Sequence, residues 1–408
     1  MSSYLLPSIP YIENLHRYIV PMVNSSTLSI NNSDTIIINK TLHKYLTILK
    51  QQIDEYETAW DKCKKYTNPY EFIHTIIPNT RQSICTYKPL SRSFFKMIEM
   101  SHMLNILNDL PEAKCKSFHL AEGPGGFIEA LVFLRNNKRD EYYGMTLLEE
   151  NNHNVPGWRK SKGFLYENPN VIIETGSDGK GDLMNSMNLL YCYKKYKGQF
   201  DLITGDGGFD FSVHYLSQEF VSASLIISQI SYAIAMQKQG GTFIIKMFDT
   251  FSKVSLDILY LLSNIYENVY FVKPHTSRYA NSEKYIICKK FRINDIQRQD
   301  LINSFFKLLA TLEKEKHDDK CNINNLFNFE LPYYFIKKVE EYNSIFGQQQ
   351  VENISTTLNM FENNKPDKLE LLKKNNTQKC IYWCQQHNLE YNISVQSNNI
   401  FLSSKRDH

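Results

Sequence analysis

SFHLAEGPGGFIEALVFLR (117–135) decides the fold. A short apolar run enters a turn built on Gly123-Pro124-Gly125-Gly126. Apolar residues then recur at helical spacing from Phe127 to Arg135. A strand that passes through a glycine turn into a helix opens a crossover unit. Working outward, the alternation continues across 81–292. Strand-like segments stand at 117–121, 142–147, 170–175, 200–205, 241–247, 269–273 and 283–290, and helix-like ones at 127–135, 217–239 and 252–267. Such alternation predicts an α/β domain with a mostly parallel sheet between crossover helices. Residues 1–80 and 293–408 read as mainly helical extensions. Within the first, 42–66 has the periodicity of one amphipathic helix and 24–35 is a polar loop rich in Asn, Ser and Thr.

The bulk composition narrows the class. The chain has 408 residues, 42% hydrophobic and 22% charged, with a formal net charge of +3. That length supports one large domain with extensions, and that charge neither requires nor excludes a nucleic-acid partner. No apolar run reaches the length of a membrane span, and the N-terminal stretch lacks the pattern of a secretory signal, so no membrane role is expected. The eight cysteines are scattered. Reduced thiols in an intracellular compartment are expected, nuclear or cytoplasmic, or a virion or viral factory for a viral chain. Cys380 and Cys384 lie four apart in CIYWC, which is either core packing or half of a metal site without a second half.

Charged and glycine-rich residues at the ends of the expected strands point to chemistry. GGTFIIKMF (240–248) brings Lys246 to the end of an otherwise apolar strand, where a charge must be paired or neutralised. LITGDGGF (202–209) ends a strand at Asp206, and ANSEKYIIC (280–288) opens one at Glu283. The turn at 123–126 is either a plain tight turn or a place where backbone amides approach a ligand. Its spacing is not that of a dinucleotide fingerprint. Glu122 beside it is either a solvated loop acid or an acceptor for a ligand ammonium. KPHTSRYANSEK (273–284) is polar and basic ahead of a strand, with Arg278 placed as a phosphate donor. LSRSFFKMIEM (90–100) reads as a helix carrying Lys96 on a largely apolar face, where a lysine ordinarily snorkels.

In this order the motifs resemble one family. The stretch 90–291 is similar to the FtsJ/RrmJ-type ribose 2′-O-methyltransferases, most closely the mRNA cap-specific (nucleoside-2′-O-)-methyltransferases of eukaryotes and large DNA viruses. SRSFFKM, GPGGF, GSDGKGDL (176–183), GDGGF, GGTFIIKMFD and KPHTSRYANSEKYIICK carry the resemblance. It implies a Rossmann-like class I S-adenosylmethionine-dependent methyltransferase, a seven-stranded, mostly parallel sheet with helical N- and C-terminal extensions. It implies a Lys-Asp-Lys-Glu tetrad at Lys96, Asp206, Lys246 and Glu283, with Lys246 as general base, and no metal. It implies that Ala121, Glu122, Gly123, Pro124, Gly125, Gly126 and Phe127 wrap the methionine and ribose of S-adenosylmethionine, and that Asp182 and Leu183 touch its adenine. Glu122 departs from the small residue more usual there. Arg92, Ser277, Arg278, Asn281 and Ser282 would meet the RNA. Capped mRNA is the implied substrate, with other capping or transcription proteins as further candidate partners. A ribosomal or transfer RNA ribose methyltransferase, or a non-catalytic RNA-binding subunit on the same fold, is the alternative. The cap-stacking aromatics are left open among Trp60, Tyr66, Tyr70, Tyr87 and others.

Overall fold

The computed structural model describes residues 2–24, 36–149, 157–208, 217–315, 322–362 and 366–392. Ten strands are present among them: β1 (Ser2–Leu5), β2 (Ile19–Asn24), β3 (Lys116–Leu120), β4 (Glu141–Met145), β5 (Val171–Glu174), β6 (Phe200–Gly205), β7 (Gln237–Met247), β8 (Tyr266–Lys273), β9 (Lys284–Phe291) and β10 (Asn322–Phe327). The helices are α1 (Lys40–Asp54), α2 (Glu57–Thr67), α3 (Ser93–Met103), α4 (Gly126–Arg135), α5 (Lys162–Glu167), α6 (Ser186–Tyr196), α7 (Gln218–Met236), α8 (Lys253–Ile265), α9 (Asp295–Glu315), α10 (Tyr333–Glu362) and α11 (Pro366–Gln386).

Eight strands form one sheet in the order β1-β8-β9-β7-β6-β3-β4-β5. From β5 to β7 neighbours run parallel, and β9 pairs antiparallel with both β7 and β8. All seven expected strands are present. The eighth is β1, which adds antiparallel to the β8 edge with Ser2 opposite Lys273 and Leu5 opposite Tyr270. Four residues are too few to carry a periodic signal. Their place is fixed by partners distant in sequence: Tyr4 stacks on Tyr342 with ring centroids 5.0 Å apart.

Helices cover both faces of the sheet, and two cores result. On one face Phe118, Ile203, Phe243 and Ile245 pack with α6, α7, α8 and α9. On the other, Leu202, Ile244, Tyr285 and Ile287 pack with α3, α4 and α11. Helix α7 is long and apolar enough, by length and composition, to cross a membrane, contrary to the expectation that no such run exists; 83% of its apolar window is buried inside the protein. It ends at Met236, before the Gly240-Gly241 pair, because Gln237 is already extended. The side chain of Gln237 then donates to Thr242 O at 2.5 Å across an irregular start to β7.

Residues 42–66 form two helices, α1 and α2, rather than one. Most of the polar stretch at 24–35 lies outside the described residues. The two extensions interlock instead of standing apart. Thr67 and Thr357 share a hydrogen bond of 2.7 Å, and Asn376 Nδ2 donates to Tyr66 O at 2.7 Å. Cys380 and Cys384 are fully buried in the second core, and the Cys380 thiol donates to Pro69 O at 3.4 Å. They serve packing there.

Candidate active site

The chain order reverses its direction across the sheet between β3 and β6, which are adjacent and parallel. Open α/β sheets place ligands at the carboxyl ends of the strands at such a switch point. Residues 121–126 leave β3 here, and Asp206, Gly207 and Gly208 leave β6. Ala121 takes a left-handed φ of 52°, and Gly125 a φ of 111° that favours glycine. A Cβ added to Gly207 would lie 3.1 Å from Ala121 Cβ, so the two loops adjoin. A Cβ on Gly123 would meet Gly157 O at 2.6 Å and Thr146 Cγ2 at 3.1 Å, and one on Gly181 would meet Thr146 O at 2.2 Å. Thr146, just past β4, thus ties the 123–126 turn to the 176–183 segment.

Glu122 is not a free acceptor. Its Oε1 takes the backbone N–H groups of Phe127 and Ile128 at 2.7 and 3.1 Å, capping the first turn of α4, and burial pushes its pKa up to about 8. Leu183 turns its side chain into the core, so its backbone is what it offers a ligand. Asp182 stays half-buried above β4, with Oδ1 accepting Met184 N at 2.9 Å. These residues fit S-adenosylmethionine. Gly123 and Gly181 let the two segments pack backbone against backbone where a Cβ would clash, and the acidic Asp182 and Asp206 at the ends of the loops suit a ligand that carries positive charge.

The four tetrad residues converge beside this crevice. Lys96 comes from α3, Asp206 from the end of β6, Lys246 from β7 and Glu283 from the residue before β9. Lys96 Nζ donates to Glu283 Oε1 at 2.5 Å. Lys246 Nζ lies 3.2 Å from Asp206 Oδ1 and donates to Asp206 O at 2.8 Å. Sequence reading missed the group that joins the two pairs. Tyr285 stands opposite Lys246 in the β7–β9 ladder, and its hydroxyl donates to Asp206 Oδ1 at 2.8 Å while accepting from Lys96 Nζ at 3.3 Å. Its sequence signal is the two-residue spacing from Glu283, which in an extended chain turns both side chains to one side. Burial opposes the charge on Glu283, but the ammonium groups of Lys96 and Lys246 hold its pKa well below the usual carboxylate range. Gly208 faces Lys246 with nothing between them: a Cβ there would sit 3.2 Å from Nζ.

The loop 274–283 carries the residues expected to meet RNA, and most of them are already engaged. Ser277 Oγ donates to Glu283 Oε1 at 2.6 Å, Asn281 accepts from Lys273, and Ser282 Oγ donates to Gln218 Oε1 at 3.1 Å. Arg278 is engaged within the protein as well. Its guanidinium is held by Glu71, at 3.1 Å from Nε and 2.6 Å from Nη2, so it fastens the loop to the turn Glu71–Ile73. Although burial pushes the Glu71 carboxyl upward, its bonds to Arg278 hold the pKa down to about 2. Arg92 keeps donors to spare: its contact here is one bond to Thr276 O at 3.5 Å. Among the aromatics left open, Tyr70 stacks on His275 of the loop at 4.6 Å and Tyr87 on Phe94 at 4.9 Å, and Trp60 meets Phe361 edge-on.

Comparison with known proteins agrees with this geometry. The model of the FtsJ-like methyltransferase family matches residues 89–291. The chain is 28% identical over 235 residues to cap-specific mRNA (nucleoside-2′-O-)-methyltransferase 1 of Caenorhabditis elegans, covering 56% of this chain and 25% of that protein. It is 28% identical over 332 residues to methyltransferase 2 of the same designation from Danio rerio, covering 78% and 42%. A Caenorhabditis briggsae relative, 27% identical over 235 residues and covering 56% and 27%, is named an inactive cap-specific methyltransferase 1B. The chain thus spans between a quarter and under half of the length of these curated relatives. With the switch-point crevice, the glycine turn and the matched span in agreement, residues 89–291 of this chain are an FtsJ-like methyltransferase domain.

Proposed function

We propose that this chain transfers a methyl group from S-adenosylmethionine to the ribose 2′-hydroxyl of a cap-proximal nucleotide in mRNA. The observation that carries the reading is the convergence of Lys96, Asp206, Lys246 and Glu283 beside the β3–β6 crevice, wired together through Tyr285. One relative at similar identity is named inactive, so overall identity does not decide for activity; the complete tetrad supports it.

S-adenosylmethionine, when bound, supplies a methyl on a sulfonium, a good electrophile. The chain's own task is to make a poor nucleophile attack in line. Lys246 is the base. It stands beside Gly208 of the crevice loop and is held to Asp206 at 3.2 Å, whereas Lys96 is committed to Glu283 at 2.5 Å. Its Nζ takes the proton of the ribose hydroxyl, and Asp206 balances the ammonium that forms. Lys96 and Glu283 hold the ribose side of the site in register, with Ser277 fixing the Glu283 carboxylate. Arg92 is the guanidinium placed for a backbone phosphate. The free thiols of the described cysteines support a reducing intracellular compartment.

Mass mapping of the product from a short RNA, supplied capped and uncapped, tests the reading. The expected product is a single 2′-O-methyl group next to the cap, and only on capped RNA. Equal transfer to both RNAs moves the chain to the ribosomal or transfer RNA class. Binding of RNA with no transfer to either makes it a non-catalytic subunit.

Gly181→Ala tests the cofactor assignment. Gly181 has φ 68° and stands against the Thr146 backbone, so a side chain is excluded by both conformation and space. The strained backbone alone costs about 1–2 kcal/mol. Affinity for S-adenosylmethionine, read by titration calorimetry, is expected to fall roughly tenfold or more. Unchanged affinity would remove the 176–183 segment from the cofactor site.

A further inference from the structure

The loop 274–283 belongs to no helix or strand, yet its path decides where Ser277 and Glu283 point. Two buried charged side chains hold its ends. At the start, Glu99 of α3 accepts His275 N at 2.7 Å, Thr276 N at 3.1 Å and Thr276 Oγ1 at 2.8 Å. At the finish, Lys273 donates to Asn281 O at 2.7 Å, Asn281 Oδ1 at 3.2 Å and Glu283 O at 2.7 Å. Glu99 is 0% exposed and Lys273 5%.

An isolated buried charge is strongly disfavoured, and its usual partner is an opposite charge. These two instead direct their hydrogen bonds to one loop. Lys273 has three donors and meets three loop acceptors. The pair works from opposite faces of the sheet. Glu99 lies three residues from Lys96 on α3, so the helix that brings one tetrad member also grips the loop that brings another. Lys273 continues β8 past Val272, which pairs with Tyr285, and so points to the other face. There it borders a small cavity lined by Asp249, Asn281, Ser282, Lys284 and Asn343. Burial lowers its pKa to about 7, with Lys284 and Lys96 acting in the same direction and Glu283 and Asp249 opposing.

We propose that Glu99 and Lys273 are positioning residues which clamp the 274–283 loop from both faces of the sheet and thereby fix the Lys96–Glu283 pair for the methyl transfer. Neither touches the reacting atoms. The proposal rests on the function proposed above for its kinetic consequence, but not for its structural one.

The test compares the full chain with Lys273→Met, Lys273→Arg and Glu99→Gln. Hydrogen exchange of peptides covering 274–283, measured without ligand, is expected to quicken about tenfold in Lys273→Met and Glu99→Gln and to stay unchanged in the sheet. Turnover on capped RNA is expected to fall roughly 10²-fold, the scale of a misplacement near 1 Å, with KM for S-adenosylmethionine within twofold. Lys273→Arg, using the neighbouring cavity, recovers most of the turnover. Unchanged loop exchange with turnover within twofold of the parent overturns the clamp. Exchange that rises across the whole sheet also overturns it, since the residues would then be general supports. If the parent methylates no RNA, the proposed function fails, and the exchange measurement still judges the clamp.

Discussion

Lys246→Ala is expected to lower the single-turnover rate of methyl transfer by roughly 10²–10⁴-fold, the range of a lost general base. Binding of S-adenosylmethionine is expected to change little, because Lys246 meets the crevice through Asp206, whose backbone stays in line at the end of β6, while the turn after β3 and the 176–183 segment do not depend on it. Folding is also preserved. Lys246 sits near the end of β7, where its Nζ donates to Asp206 and lies 5.9 Å from the centroid of the Phe248 ring. Removing it leaves the Asp206 carboxylate with the hydroxyl of Tyr285 as a donor. The measurement is radiolabelled methyl transfer under single-turnover conditions, with calorimetry for cofactor binding. A variant that keeps more than a tenth of the parent rate, with an intact cofactor site, would mean that another group takes the proton.

The second large effect concerns stability as much as rate. Lys96→Met is expected to destabilise the protein by about 3–5 kcal/mol, because it strands the buried Glu283 carboxylate. Ser277 alone then remains as a side-chain donor to that carboxylate. The double variant Lys96→Met, Glu283→Gln should regain much of the loss, since neutral partners no longer need a counter-charge, while methyl transfer stays absent in both. Urea unfolding of the two single variants and the double variant closes the cycle. Additive losses would show that the 2.5 Å pair is not coupled. The pH dependence follows from the same contact. With its pKa depressed, Glu283 contributes stability that is present above the ordinary carboxylate range and is lost as the pH falls through its folded value.

The strands and the tetrad were legible in the sequence for different reasons. A central strand such as 200–205, FDLITG, has an apolar centre in Leu202 and Ile203, and its limits coincide with β6. Lys246, Asp206 and Glu283 declare themselves because a charge at the end of such a run has few structural roles. Lys96 does not. On its helix it resembles any snorkelling lysine, and only the pairing with a residue 187 positions away gives it a partner. Tyr285 is hidden for the opposite reason, since an aromatic residue in a buried strand is ordinary core. Nothing in the sequence marks Glu99, inside α3, or Lys273, at the end of β8, because burial by a loop leaves no periodic trace. The extensions were read as separate helical blocks. Their contacts with each other and with β8 are all long-range, and β1 is too short to announce itself. Arg278 is a further case: an arginine in a polar loop suggests a phosphate, and the sequence gives no sign of Glu71, far upstream, which pairs with it at 2.6 Å.

The edge strand β1 has a consequence for how the protein is made. Ser2 pairs with Lys273, so the first residues of the sheet to leave the ribosome wait for a strand that emerges after most of the domain. At about 5–20 residues per second, that wait is of the order of tens of seconds. Closing so long a loop carries a large entropic cost before any ladder bond forms, so β1 docks late, onto a sheet whose β8 edge is already built. Until then that edge is an open template for another chain, and the four residues of β1 act in effect as its closing seal.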